Sequence, residues 1–161
     1  MNKKIEEAIE LRESGECQAS IERWKRLIQG DPDNGFLHYQ CAWTHDKMGL
    51  ESEAVPYYEN SIQLGLDDKD LQGAYLGLGS TYRTLGEYEK SKSVFEEGIR
   101  RFPENKAMSV FYAMTLYNLN KHSQAMELLL ISICNTSCDA DIQAYHKAIL
   151  YYSNQLDKVW K

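Results

Sequence analysis

The sequence predicts an all-α fold made of stacked helical hairpins, and three observations predict it. Helix breakers are scarce, since three prolines and ten glycines in 161 residues leave long stretches uninterrupted, as a helix interior requires. Turn-forming residues recur at near-constant spacing: Gly15, Gly49, Gly86 and Asn120 stand 34, 37 and 34 residues apart. The same kinds of side chain then recur at fixed distances from each turn. Repetition at this period marks a fold assembled from stacked supersecondary units.

Around each turn the columns are physically coherent. A small residue follows after five positions (Ser20, Ala54, Ser91, Ala125) and a large apolar one four later (Trp24, Tyr58, Phe95, Leu129). An isoleucine follows after four more, at Ile28, Ile62, Ile99 and Ile133. Spacing of four and four lays these along one stripe of a helix. Upstream of each turn another small position recurs as Ala8, Ala42, Gly79 and Ala113. Small residues let two helix axes approach, and the large neighbour fills the space beside them. Glycine or Asn at the turn accepts the left-handed conformation that ends a helix. Each unit is thus a pair of antiparallel helices that buries its stripe only by stacking on a neighbour.

These residues resemble the tetratricopeptide repeat (TPR) family of 34-residue helix-turn-helix units. The third unit, residues 72–105, is the closest match, with Tyr75, Leu78, Gly79, Tyr82, Gly86, Tyr88, Phe95 and Pro103 at motif positions. The first unit closes on Asp31-Pro32-Asp33-Asn34, again as the family does. The resemblance implies a right-handed α-solenoid of four TPR units in a single domain, 1–161, with repeats 1–34, 35–68, 72–105 and 106–139. A continuous capping helix is expected over 141–160, with Ala144, Ala148 and Tyr151 packed back on the fourth unit. The departures are local. Lys4 and Glu7 suit an outward-facing first helix, His45 replaces a Tyr, Leu66 and Ser137 replace prolines, and Asn120 replaces a Gly. Three extra residues within Asp67–Leu71 are expected to lengthen the turn between units two and three and to change the pitch there.

Composition bounds the function. The chain is 43% hydrophobic and 26% charged, the balance of a soluble globular protein. A formal charge of -6 opposes nucleic acid or an anionic membrane as partner, since both draw on concentrated positive charge. No apolar stretch follows Lys3 and Lys4 as a secretory signal needs, and no run reaches a membrane span. Cys17, Cys41, Cys134 and Cys138 read as reduced thiols, and the expected location is cytoplasmic.

The resemblance also implies where a partner binds. The first helices of successive units line the inner face, at the second, fifth, ninth and twelfth positions of each. Those positions give Phe36, Tyr39, Trp43 and Asp46, then Gly73, Leu76, Ser80 and Arg83, then Ala107, Val110, Met114 and Tyr117; the last helix adds Ile142, Tyr145, Ile149 and Tyr152. With Arg83 almost alone as a positive charge, a clamp for a terminal carboxylate is not expected. The aromatic lining suits an apolar peptide or amphipathic helix, so the chain is expected to be a protein–protein interaction module. The inner side chains packing on each other is the competing reading. Two alternatives remain: a homodimeric scaffold joined through the C-terminal helix or an edge of the stack, and a chaperone like the TPR chaperones of bacterial secretion systems.

Other constellations read as packing rather than chemistry. His38, Cys41 and His45 share one helical face with zinc-like spacing, but they occupy columns filled by Tyr75, Leu78 and Tyr82 in unit three. Cys134 and Cys138 lack the positive charge that activates a thiol. Gly73, Gly77 and Gly79 fall within a helix, where backbone amides are already bonded, and not in a phosphate-binding loop. No nucleophile stands with its base at recognisable spacing, so neither an enzyme nor a cofactor or metal is expected.

Overall fold

The computed structural model describes residues 3–160. Among them ten helices follow one another and no strand occurs: α1 (Lys3–Glu13), α2 (Cys17–Gly30), α3 (Gly35–Lys47), α4 (Glu51–Leu64), α5 (Asp68–Thr84), α6 (Tyr88–Arg101), α7 (Lys106–Asn118), α8 (His122–Thr136), α9 (Ala140–Ala144) and α10 (His146–Ser153). They fall into two compact units, Met1–Glu87 and Tyr88–Lys161.

The turns form as the spacing requires. Gly15, Gly49, Gly86 and Asn120 have φ of 89°, 71°, 79° and 59°, a region where a Cβ is costly and glycine or Asn is favoured. Beyond them the chain closes back on the ending helix: the N–H of Leu50 donates to the carbonyl of His45 at 3.0 Å, and that of Lys121 to Leu116 at 2.9 Å. Such bonds satisfy carbonyls that the helix end would otherwise orphan. The next helices start on side-chain caps. Asn34 accepts from the Leu37 N–H, Asp67 from Asp70 and Asn105 from Met108, each meeting a donor of the first turn.

In the first unit consecutive helices pack from α1 through α5, and α3 also touches α5. Its core gathers Ala8, Trp24, Leu37 and Cys41, with Ile5, Ile9, Leu27, Ile28, Phe36 and Tyr57 packed around them. The small column works as expected, for the Ser20 hydroxyl reaches the Ala8 carbonyl at 2.7 Å. Glu7 on α1 is half-buried and pairs with Arg23 at 2.5 Å. In the second unit α6, α7 and α8 pack in succession and α10 lies on α8. Ala113, Leu116 and Ala125 form a core there, flanked by Tyr112, Leu128 and Leu129, and the Ser91 and Thr115 hydroxyls bond at 2.8 Å.

Three expectations are corrected. The extra residues before unit three do not lengthen the turn; with Asp67 as its cap, α5 begins at Asp68 and absorbs them as helix. The helix expected over 141–160 is two short ones, α9 and α10, followed by irregular chain. Ser153 bonds the Leu150 carbonyl at the end of α10, and Asn154 follows, both short polar residues that compete with helical backbone bonding. Ala144, Ala148 and Tyr151 are exposed, and the side of α10 that is covered carries Ile149, Leu150 and Ser153. Finally, the isoleucine column is not uniformly interior. Ile28, Ile62 and Ile99 are half-buried, but Ile133 is exposed with Met126 because α9 and α10 leave that stripe of α8 uncovered.

Candidate functional site

Within Met1–Glu87 the residues expected to face a partner lie on α3 and α5. Trp43 is 44% exposed despite the large apolar area an indole offers. Two side chains contact its ring. The Tyr39 ring, one helical turn earlier on α3, stacks at 6.2 Å and 21° between planes. The Arg12 guanidinium from α1 lies 3.8 Å from the ring centroid, a cation–π contact. Arg12 itself is 3% exposed. Its Nη1 donates to Gln40 Oε1 at 2.6 Å and its Nε to Glu13 Oε1 at 3.0 Å, so the buried charge is hydrogen-bonded and paired. Arg12 occupies the twelfth position of the first repeat, 1–34, the position that the resemblance assigns to the inner face in the others. Sequence reasoning missed it by applying that rule only from the second repeat onward.

Tyr39 joins α3 to α5. Its hydroxyl lies where a side chain at Gly73 would stand, so the glycine makes room for the ring. Burial, aided by the charges of Asp70 and Asp67 and opposed by Arg12, holds the Tyr39 pKa above the ordinary tyrosine value. Phe36 is half-buried and packs on the core of α1, α2 and α3; Leu76 and Arg83 on α5 are also half-buried. The aromatic side chains of α3 thus differ in exposure, and Tyr39 and Trp43 pack on one another. Phe36 and Tyr39 are half-buried, whereas Trp43, its ring contacted by both Tyr39 and Arg12, stays exposed.

Asp46, next along the same side of α3, is a strut and not a free acid. Its carboxylate accepts from the Tyr58 hydroxyl on α4 at 2.8 Å and from Thr81 on α5 at 2.9 Å. Burial raises its pKa, and those two donors work against that rise.

In the second unit α7 carries Val110, half-buried, with Met114 and Tyr117 exposed. Tyr117 tilts against His122 at 4.9 Å. Tyr145, between α9 and α10, and Tyr152 are exposed, and Ile149 is half-buried. The ring contacts of Tyr152 are with Tyr151, at 5.1 Å, and Trp160, at 5.4 Å.

The constellations with chemical spacing are structural in their surroundings. His38 Nε2 donates to the Pro32 carbonyl at 2.9 Å and His45 Nδ1 to the Cys41 carbonyl at 2.8 Å. The His45 ring stacks on Tyr57 at 5.1 Å, so an imidazole fills the aromatic place of the motif. Burial pushes the Cys41 thiol up to about 12, which keeps it protonated and unreactive. Cys17 and Cys134 are buried and free, whereas Cys138 is exposed. Gly73 and Gly77 lie inside α5, Gly77 with its Cα hydrogen against the Tyr58 ring. Among the described residues no helix is long and apolar enough to cross a membrane.

Comparison with known proteins agrees with this architecture. The TPR repeat-containing protein YpiA of Bacillus subtilis (strain 168) is 22% identical over 147 residues, which are 91% of this chain and 33% of that protein. The chain thus spans about a third of the length of that relative. Among solved structures, MamA superposes with a TM-score of 0.75 at 17% identity, covering 95% of this chain and 87% of its own. YrrB, described as a TPR protein with an unusual peptide-binding site, superposes with a TM-score of 0.57 at 17% identity, covering 93% and 92%. The fold is that of an α-solenoid, and it supports a protein–protein interaction module in general. The family model for the tetratrico peptide repeat matches residues 35–156, and with the turn geometry and packing columns above, the chain belongs to the tetratricopeptide repeat family.

Proposed function

We propose that this chain binds an apolar peptide segment or an amphipathic helix on the inner faces of its repeats. The observation that carries the reading is Trp43: a large, exposed indole held in contact with Tyr39 and Arg12. An aromatic residue already held in place loses little freedom on binding, so more of its buried area appears as affinity. Phe36, Tyr39, Leu76 and Arg83 would border it in the first unit. Val110, Met114 and Tyr117 on α7, and Tyr145, Ile149 and Tyr152 beyond, would form a second apolar contact region in the other unit. The peptide-binding site ascribed to YrrB lends the same use of the fold some support. The test is capture of partners from native lysate by the intact chain and by a Tyr39→Ala, Trp43→Ala double variant. Loss of a specific partner with the variant still folded is the expected outcome; unchanged capture ends the reading.

A second reading is self-association through the C-terminal segment. Tyr151, Tyr152, Leu156 and Trp160 are all exposed there, and the three rings touch one another. Light scattering at micromolar concentration decides it: a dimer that Trp160→Ala dissociates supports the reading, and a monomer removes it.

A further inference from the structure

The inner face of the first unit is not electrically uniform along its length. At the Trp43 end the charges are balanced, Arg12 and Lys47 standing against Glu13, which pairs with both, and Asp46. Arg12 lies on the indole, and the Lys47 ammonium donates to the Arg12 carbonyl at 3.0 Å. Phe36 is seven residues earlier on α3, about 10 Å away along the axis. There it lines a cleft of 590 Å³ with Leu66 and with Asp31, Asp33, Asp67 and Asp70. None of these four carboxylates is in an ion pair among the described residues. Tyr39 stands between the two on α3, with its ring on Trp43 and its hydroxyl against Gly73, one helical turn after Asp70 on α5. Cleft and indole therefore flank the same ring.

Resting on the peptide-binding reading above, we propose that this groove takes a polypeptide segment in one direction. An apolar side chain lies on Trp43, and a Lys or Arg side chain enters the Phe36 cleft toward Asp67 and Asp70. Long basic side chains bury an aliphatic stem and keep the charged head outermost. That shape fits a cleft that joins Phe36, Leu64 and Leu66 to four carboxylates better than a compact ion does. No group of three or more acidic, His or Cys residues is gathered to hold a metal ion among the described residues. A segment with an acidic residue at that end meets like charge, which opposes the reverse direction.

The test uses the whole chain and two blocked amphipathic peptides of about sixteen residues. They share one apolar face; one ends in two lysines and the other in two glutamates. Titration calorimetry at low salt is expected to show the lysine peptide binding about tenfold tighter, with the advantage shrinking as salt screens it. Asp67→Asn with Asp70→Asn is expected to bring that advantage below about twofold, and because Asn caps a helix as well as Asp does, α5 should persist by circular dichroism. Should that pair lose helix, Asp33→Asn, outside any helix, reads the same effect. Equal binding of the two peptides overturns the charge assignment and leaves the groove reading standing. Binding of neither, or binding indifferent to Tyr39→Ala with Trp43→Ala, overturns both.

Discussion

The guanidinium carbon of Arg12 stands 3.8 Å from the centre of the Trp43 ring, joining α1 to α3. The contact is one part of a buried set, because the same guanidinium also satisfies Gln40, itself 5% exposed. Arg12→Met keeps the stem and removes the fork, leaving the Gln40 oxygen unpaired. Chemical denaturation should show a loss of about 1–3 kcal/mol, together with altered Trp43 emission. Arg12→Lys should fall in between, since an ammonium does not stack and fork as a guanidinium does.

The turn positions predict a contrast between chemically similar changes. Gly49 and Gly86 have positive φ and open space around the missing side chain, so Gly86→Ala carries a conformational cost alone, about 1 kcal/mol. Asn120 already bears a Cβ at φ 59°. Asn120→Gly should be neutral or slightly stabilising in thermal melts.

Gly73 and Tyr39 form a testable pair across α5 and α3. Gly73→Ala places a methyl on the Tyr39 hydroxyl and should destabilise by about 1–3 kcal/mol through overpacking. In a Tyr39→Phe background the hydroxyl clash is gone and the nearest ring atom, Cζ, stands 3.0 Å from the methyl, so a small shift of the ring suffices and the helix propensity of Ala offsets part of the cost. A double-mutant cycle should therefore return a positive coupling.

His45 gives stability a pH dependence of fixed sign. Burial is the main cause holding its pKa below the ordinary 6.5, with the Cys41 carbonyl opposing. The unfolded chain therefore binds the proton more readily than the folded one. The contribution of His45 is full above that value and is lost as pH falls through the lower folded pKa. His45→Phe retains a ring against Tyr57 and does not titrate, so its stability should fall less between about pH 7 and 5.

Two positions of the repeat columns should respond very differently. Phe95 is fully buried, and Phe95→Ala should cost about 3–5 kcal/mol. Ile133 occupies a recurring column yet is 44% exposed, so Ile133→Ala should cost less than about 1 kcal/mol in the same denaturation experiment.

That contrast marks how far the sequence could be read. The small columns and the turns were legible because close helix approach and positive φ are demands on single residues, met at Ala8, Ala42, Gly86 and Asn120 alike. Helix existence was legible from the period. Coverage was not, because it depends on what lies next door: Ile133 satisfies its column but α9 and α10 do not reach over it. The fate of the residues around Asp68 turned on one cap, Asp67, whose competition with an open turn no periodicity resolves. Within the candidate site, the aromatic positions followed from the repeat register. The electrostatics did not, since the Arg12–Trp43 contact joins residues 31 positions apart in the sequence.

Thiol accessibility divides the cysteines sharply. Cys17, Cys41 and Cys134 are enclosed, and Cys138 alone lies open, in the link between α8 and α9. A maleimide dye offered to the native chain at neutral pH should attach once, at that link. The unaltered polypeptide thus comes with a built-in place for a single reporter, from which the approach of any ligand to the C-terminal helices can be followed by energy transfer.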